Sequence, residues 1–481
     1  MAQYKKNSNK RNVQRVDLDD ERRSRDKQQR RPNGNRNQPQ RSQNNYSQAR
    51  ARRNKKQKRK TLAVRVVAII IVICLIAAGV LAVTGVFKGG STEETTTSET
   101  NVNETSDGET GSDETEGATE TDADGNPVTD SLETEKLTLI AAGDVIGHDA
   151  ILEMCQTESG YDFTSLFSAL KSDIQKADIA VVNMESPLGG PEAGEYIGYP
   201  AFNTPDEMGD ALIDAGFDVV QLASNHSMDP GVVGLEHELS YWASHKAEVL
   251  TTGVNGSEEE KNEIPILEKD GIKIAFLNYT YGLNGYELPE ENSYMITLLT
   301  DDNADFIKSQ IEQADEEADF VVVLPHWGTE YQLGSPDSSQ QSWAELFTEA
   351  GADLIIGTHP HVIESIDWIE AGGNRALCYY SIGNFVSNQQ EVNTVLGGMP
   401  YVVLQKDDSG VSIVEDETKI IPVVTDNDET TIQTVYLADF TEEMAADHDV
   451  KLNTDETFSA ATLTSIADEV WGSEWIKDRI D

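Results

Sequence analysis

From residue 137 onward, short apolar runs alternate with stretches whose apolar positions follow helical spacing. The runs at 137–142, 179–183, 219–222, 272–278, 320–324, 354–356 and 377–380 have the length and β-branched content of buried strands. Between them, 163–177, 206–215, 234–245, 304–314 and 340–350 read as amphipathic helices. Strands alternating with helices predict an α/β layered domain. The stretch 402–424 is richer in β-formers and predicts an antiparallel edge. Residues 426–481 carry no clear motif, although 459–479 predicts one or two short helices packed on the domain.

Upstream the pattern is different. Residues 66–87 form an apolar run of 22 residues without a charge, long enough to span a bilayer. Arg52, Arg53, Lys55, Lys56, Lys58, Arg59, Lys60 and Arg65 precede it, which by the positive-inside rule predicts a cytoplasmic N-terminal side and an extracytoplasmic remainder. The run is long and its basic flank extensive for a cleaved signal peptide, so a permanent single-pass anchor in the cell membrane is expected. Residues 1–65 hold 22 Lys/Arg against five Asp/Glu, with almost no large apolar side chains, and read as a disordered tail. Because this basic tail leads straight into the apolar run, membrane topology explains it without a nucleic-acid partner. The whole chain carries −48, so everything after residue 65 carries −65. Part of that charge lies in 88–136, a Ser/Thr/Glu-rich stretch expected to be an extended stalk. The expected plan is a tail (1–65), a transmembrane helix (66–87), a stalk (88–136), a main domain (137–425) and a C-terminal extension (426–481). Of three cysteines, Cys74 falls in the span. Cys155 and Cys378 could form one disulfide, and free buried thiols are the favoured reading.

Ligands in open α/β sheets collect at the carboxyl ends of strands, and here unusual polar residues follow strand after strand. They are Gly143-Asp144-Val145-Ile146-Gly147-His148, then Asn183-Met184-Glu185, then Asn225-His226 within 225–231. His326-Trp327-Gly328-Thr329-Glu330 and His359-Pro360-His361 follow later strands. Imidazole nitrogens with carboxylate and amide oxygens suit one or two divalent ions such as Mn, Zn or Fe. Taken singly, Gly143-Asp144 reads first as a turn with a helix-capping Asp, Asn183 and Glu185 equally as a polar strand end, and Asn225-His226 equally as a turn. His359-Pro360-His361 is the sharper signal, and five of the eight histidines at successive strand ends outweigh those readings together. His359 and His361, two apart in an expected extended segment, should point the same way. His237, His245 and His448 read as surface or packing residues.

This order of motifs, closed by Tyr380-Ser381-Ile382-Gly383-Asn384-Phe385, resembles the capsule-synthesis CapA family, which includes poly-γ-glutamate synthesis proteins and belongs to the calcineurin-like metallophosphoesterase superfamily. The resemblance implies a four-layer β-sandwich flanked by helices, with metals at one sheet edge. It implies Asp144 and His361 at a first metal, Glu185 as a bridging ligand, and Asn225, His326 and His359 at a second. Asp144 and His226 become the catalytic candidates, His226 as a proton donor to a leaving oxygen. Asn183, His148, Trp327, Glu330 and Asn384 are substrate-binding candidates, with 202–205 as a rim loop; for Trp327 a core aromatic is an equal reading. The superfamily's usual His two residues after the first Asp is replaced here by Ile146, and His148 is a candidate substitute. The implied function is capsule or poly-γ-glutamate biosynthesis, through metal-dependent hydrolase or transferase chemistry on a cell-surface anionic polymer or its linkage. Two alternatives stay open: a non-catalytic accessory binding polymer or membrane-bound synthase and transport subunits, and an extracellular phosphoesterase.

Overall fold

In the first strand, β1 (Lys136–Val145), alternate side chains leave opposite faces, yet nearly all are buried: Leu137, Leu139 and Ala141 on one side, Ile140 and Ala142 on the other. Such a strand needs cover on both faces. The computed structural model, which describes residues 136–480 apart from 409, 429, 451 and 453–456, shows what covers it. The expected tail, span, stalk and Cys74 lie outside the described residues. No helix among the described residues is long and apolar enough to cross a membrane.

β1 continues in parallel to β2 (Ile179–Met184), β3 (Val219–Gln221) and β4 (Leu250–Thr252). The chain then crosses to a second sheet built from β5 (Ile266–Lys269), β6 (Ile272–Thr280), β7 (Phe320–His326), β8 (Leu354–Ile356), β9 (Ile366–Ala371) and β10 (Asn374–Tyr379). Its order is β5-β6-β7-β8-β10-β9, parallel in the middle and antiparallel at both rims. The chain returns to the first sheet with β11 (Asn384–Val386), β12 (Leu396–Asp407), β13 (Gly410–Ile413), β14 (Lys419–Asn427) and β15 (Ile432–Tyr436). The first sheet runs β15-β14-β12-β1-β2-β3-β4, with β11 also beside β1 and β13 beside β12.

Leu139 and Val181 of the first sheet pack against Phe276, Val322 and Leu354 of the second, in one inner core. Helices cover the outer faces. Over the first sheet lie α1 (Asp149–Cys155), α2 (Lys171–Ile174), α3 (Glu207–Ala215) and α4 (Gly231–His245), with Met208, Leu212, Leu235 and Trp242 buried against Ile140 and Val182. After α5 (Glu258–Lys261), α6 (Ala304–Glu317) and α7 (Ser338–Ala350) place Ile307, Ile311 and Phe347 on Leu277 and Val323 of the second sheet. The layers are therefore helix, sheet, sheet, helix, as expected. α7 starts at a capping box between Asp337 and Gln340, which satisfies its free N–H groups. Two further helices follow, α8 (Glu442–Asp447) and α9 (Ala460–Trp471), and α9 buries Leu463, Ala467 and Trp471 on the inner core.

Two expectations change. The stretch 163–177 is not one helix: Thr164–Leu166 is a 3-10 turn and only α2 is α-helical. Leu166, Phe167 and Ser168 donate to carbonyls three residues back, and short 3-10 and α turns present apolar side chains at similar spacing. The 402–424 segment is antiparallel but mostly not at an edge: the short β13 flanks β12 alone, while β12 pairs directly with β1 near the middle of the sheet and with β14. Its residues from Leu396 to Leu404 are buried on both faces, which suits a central strand. β14 runs across residue 425, and β15 extends the same sheet. Cys155 and Cys378 are free and buried in different outer cores. Burial, helped by Asp162, pushes the Cys155 thiol up to about 12, leaving it unreactive at neutral pH.

Candidate metal centre

Two close backbone contacts bring the strand ends together. A Cβ on Gly143 would lie 1.9 Å from the Gly383 carbonyl, so only glycine lets the 380–386 segment lie against β1. A Cβ on Gly357 would lie 2.0 Å from the Tyr380 carbonyl, so the 357–361 segment is pressed against that same strip. The carboxyl ends of β1 and β2 thereby meet the ends of β7 and β8.

From the first sheet, Asp144 accepts a hydrogen bond at Oδ1 from Asn183 Nδ2 (2.7 Å), while its Oδ2 lies 3.2 Å from His361 Nδ1. Glu185 is buried, and neither of its carboxylate oxygens has a hydrogen-bond partner. His361 Nε2 lies 3.7 Å and His226 Nε2 3.9 Å from its Oε1. From the second sheet, His326 Nε2 faces Asn225 Oδ1 at 2.8 Å, and its Nδ1 faces the Thr358 hydroxyl at 3.0 Å. The His359 ring lies 4.9 Å from that of His326, and its buried Nδ1 has no partner. Glu185, His359 and His361 form one buried group whose candidate ligand atoms all lie within 4.8 Å of one another.

The electrostatics follow from burial and neighbours. Loss of solvent pushes the Glu185 carboxyl well above its usual range, against the pull of His361. His326 and His359 are held neutral, first by burial and then by the other histidines. His361 differs: burial disfavours its charge, but Glu185 and Asp144 outweigh this and raise it to about 9. A neutral imidazole has a lone pair to offer an ion, and a buried carboxyl whose two oxygens lack hydrogen-bond partners has oxygens free for an ion that would favour its charged form.

A model of the family described as bacterial capsule synthesis protein PGA_cap matches residues 138–389, from β1 through Asn384. The chain belongs to this family. Among similar proteins, "PGA biosynthesis protein CapA" of Bacillus subtilis (strain 168) is 30% identical over 263 residues, covering 54% of this chain and 66% of that protein. "Capsule biosynthesis protein CapA" of Bacillus anthracis is 28% identical over 291 residues, covering 59% and 67%. The chain thus spans about two thirds of the length of these relatives. A solved calcineurin-like phosphoesterase, YfkN from Bacillus subtilis, is similar with a TM-score of 0.35 and 13% identity, over 70% of this chain and 97% of that one.

In this PGA_cap chain Asp144, Asn183, Glu185, Asn225, His226, His326, His359 and His361 converge. His359 and His361 do so for a different reason than extended alternation: β8 ends at Ile356, and the two have φ of +100° and +60°. Left-handed backbone at non-glycine residues is strained and must be held by its surroundings. Asn384 is buried behind the site: its Oδ1 faces His361 Nδ1 at 3.1 Å and its amide donates to Gln389 and the Thr394 carbonyl, so it orients His361. His148 accepts the Asn388 N–H at Nδ1 (3.2 Å) and lies close enough to His361 and His226 for their charges to act on it. Burial lowers it to about 4. Trp327 is a core aromatic: it is buried, donates to the Tyr380 carbonyl and stacks on Phe347. Glu330 is exposed near the cluster, where its charge acts on Glu185 and His361. Phe202 of the expected rim loop lies edge-on to His226 at 4.7 Å.

Three residues at the site escaped the sequence reading. Asp229 Oδ2 lies 2.6 Å from His226 Nδ1. Asn284 accepts from Asn225 (3.1 Å) and reaches the His226 ring, and Tyr281 lies 4.4 Å from the His359 ring. The last two follow β6, whose carboxyl end the strand-end rule would have flagged.

Proposed function

We propose that this PGA_cap protein is a membrane-anchored, extracytoplasmic participant in capsule or poly-γ-glutamate biosynthesis that uses a divalent metal for hydrolase or transferase chemistry on a cell-surface polymer or its linkage. The observation that carries it is the buried Glu185 carboxylate with no hydrogen-bond partner, grouped with His359 and His361. A buried charge without a partner is costly, so such an arrangement suits a cation. The nitrogen and oxygen donors fit Mn, Zn or Fe. Asp144, Glu185 and His361 would hold one ion, and Asn225, His326 and His359 a second. Such ions supply Lewis acidity and charge to clamp an oxyanion.

The remaining roles belong to the chain itself. Asp229, on Nδ1, holds the His226 ring so that Nε2 faces the cluster, the atom that would pass a proton to a leaving oxygen. Asn183 and Asn384 restrain Asp144 and His361. The basic flank and the 66–87 run support an anchored protein with its domain outside, and the names of its two Bacillus relatives support the polymer role. In the organism that makes this chain, Glu185→Ala at the chromosomal locus should abolish surface polymer while protein level stays normal. Polymer at wild-type amount would reject the reading.

A further inference from the structure

Among the described residues, five of the seven exposed large apolar side chains, Ile197, Tyr199, Tyr281, Tyr286 and Tyr331, stand outside the named strands and helices, on three segments that each reach the histidine cluster. Tyr199 is 71% exposed, Tyr331 49%, Tyr286 48% and Tyr281 39%. The four tyrosines come from three separate segments that meet at the cluster. Tyr281 lies over His359 (4.4 Å between ring centroids) and Tyr331 beside His361 (5.9 Å). Tyr199 packs on Phe202 (6.5 Å), the ring that abuts His226, and Tyr286 is two residues from Asn284, which also reaches His226. Single exposed aromatics are ordinary, but several gathered at one mouth mark a binding surface.

Charge narrows what it binds. The segments that carry or closely follow the cluster residues and that hold the four tyrosines, 146–148, 185–206, 223–230, 281–303, 327–337, 357–365 and 380–395, contain no Lys or Arg and fourteen Asp and Glu. A polyanion laid across this rim would meet carboxylates and no Lys or Arg, with His361, the histidine pushed toward charge, buried behind the rim, which opposes both its approach and its binding. Tyrosine faces flanked by carboxylates suit the opposite chemistry: uncharged rings with apolar C–H faces to stack and hydroxyls to donate to acidic oxygens.

We propose that the Tyr199, Tyr281, Tyr286 and Tyr331 rim binds a neutral saccharide chain and sets it across the metal cluster. This rests on the reading that the site works on a cell-surface polymer, and assigns the rim to a glycan rather than to the polyglutamate chain. Titration calorimetry on the full-length protein, with EDTA present, would use N-acetylchitotetraose, cellotetraose and a γ-linked glutamate decamer. At least one saccharide should bind, and Tyr199→Ala/Tyr331→Ala should raise its Kd tenfold or more with circular dichroism unchanged. The decamer should give no binding heat. Failure of both saccharides to bind, an unchanged Kd in the variant, or tighter binding of the decamer would overturn the proposal. Because binding is read without metal, it stands or falls separately from the metal assignment, which elemental analysis of the same variant would still report at wild-type content.

Discussion

The first sheet brings Asp144, Asn183, Glu185, Asn225 and His226 to the cluster, mostly oxygen donors, whereas the second brings His326, His359 and His361. Buried by itself, each half would suppress its own charge: Glu185 is pushed toward the protonated form, and His326 and His359 toward neutrality. His361 breaks the pattern because it sits at the seam, 3.2 Å from Asp144 and 3.7 Å from Glu185. Charge is therefore favoured on His361, where the two sheets touch. The halves also differ in backbone. The carboxylates sit at or just beyond regular strand ends, while His359 and His361 hang on a left-handed segment wedged against 380–384.

The strongest way to break this comparison is to empty the imidazole half. His359→Ala/His361→Ala should reduce bound transition metal in the purified protein to background, with the circular dichroism spectrum largely kept, because three cores rather than an ion hold the layers together. His237→Ala/His245→Ala should leave metal content intact. Equal metal in wild type and the His359/His361 variant would sink the assignment.

A subtler change tests the seam. In metal-free protein, Glu185→Gln should lower the His361 pKa from about 9, since Glu185 is the leading group that raises it. An NMR titration of the imidazole reads this, and an unmoved midpoint would mean that the halves do not communicate through charge.

Glu238 on α4 offers the smallest effect and a control, being a buried carboxylate with no histidine opposite. Burial raises it from 4.5 to about 7, although the Leu188 N–H pulls the other way. Its folded pKa exceeds the unfolded one, so the stability it confers is complete below about pH 4.5 and is lost as pH rises through 7. A shift of that size corresponds to roughly 3 kcal/mol at most. Denaturation between pH 5 and 8 should show a shallower decline for Glu238→Gln than for wild type; parallel curves would contradict the raised value.

Strands whose apolar side chains are buried on both faces were legible because a continuous hydrophobic run needs no partner to be recognised, and 354–356 was matched residue for residue. That Asp144, Glu185, Asn225, His326, His359 and His361 gather in one place was legible for a related reason: polar residues immediately after such a run mark a strand's carboxyl end. Packing choices were not. Trp327 directly follows His326 of the cluster, yet its ring turns into the outer core, where Phe347 and the Tyr380 carbonyl await it. Asn384, 23 residues from His361, became an orienting group only because Gly143 and Gly383 let two segments touch.

Local chemistry along the chain determined that this protein has layered strands and helices, an apolar run behind a basic flank, and a set of nitrogen and oxygen donors. Those properties depend on neighbours a few residues apart. Which sheet each donor came from, which histidine holds charge, and the ring of tyrosines over the mouth were decided by tertiary structure alone. Each depends on distances between segments that are remote in sequence, and both solvation and Coulomb energy are set by those distances.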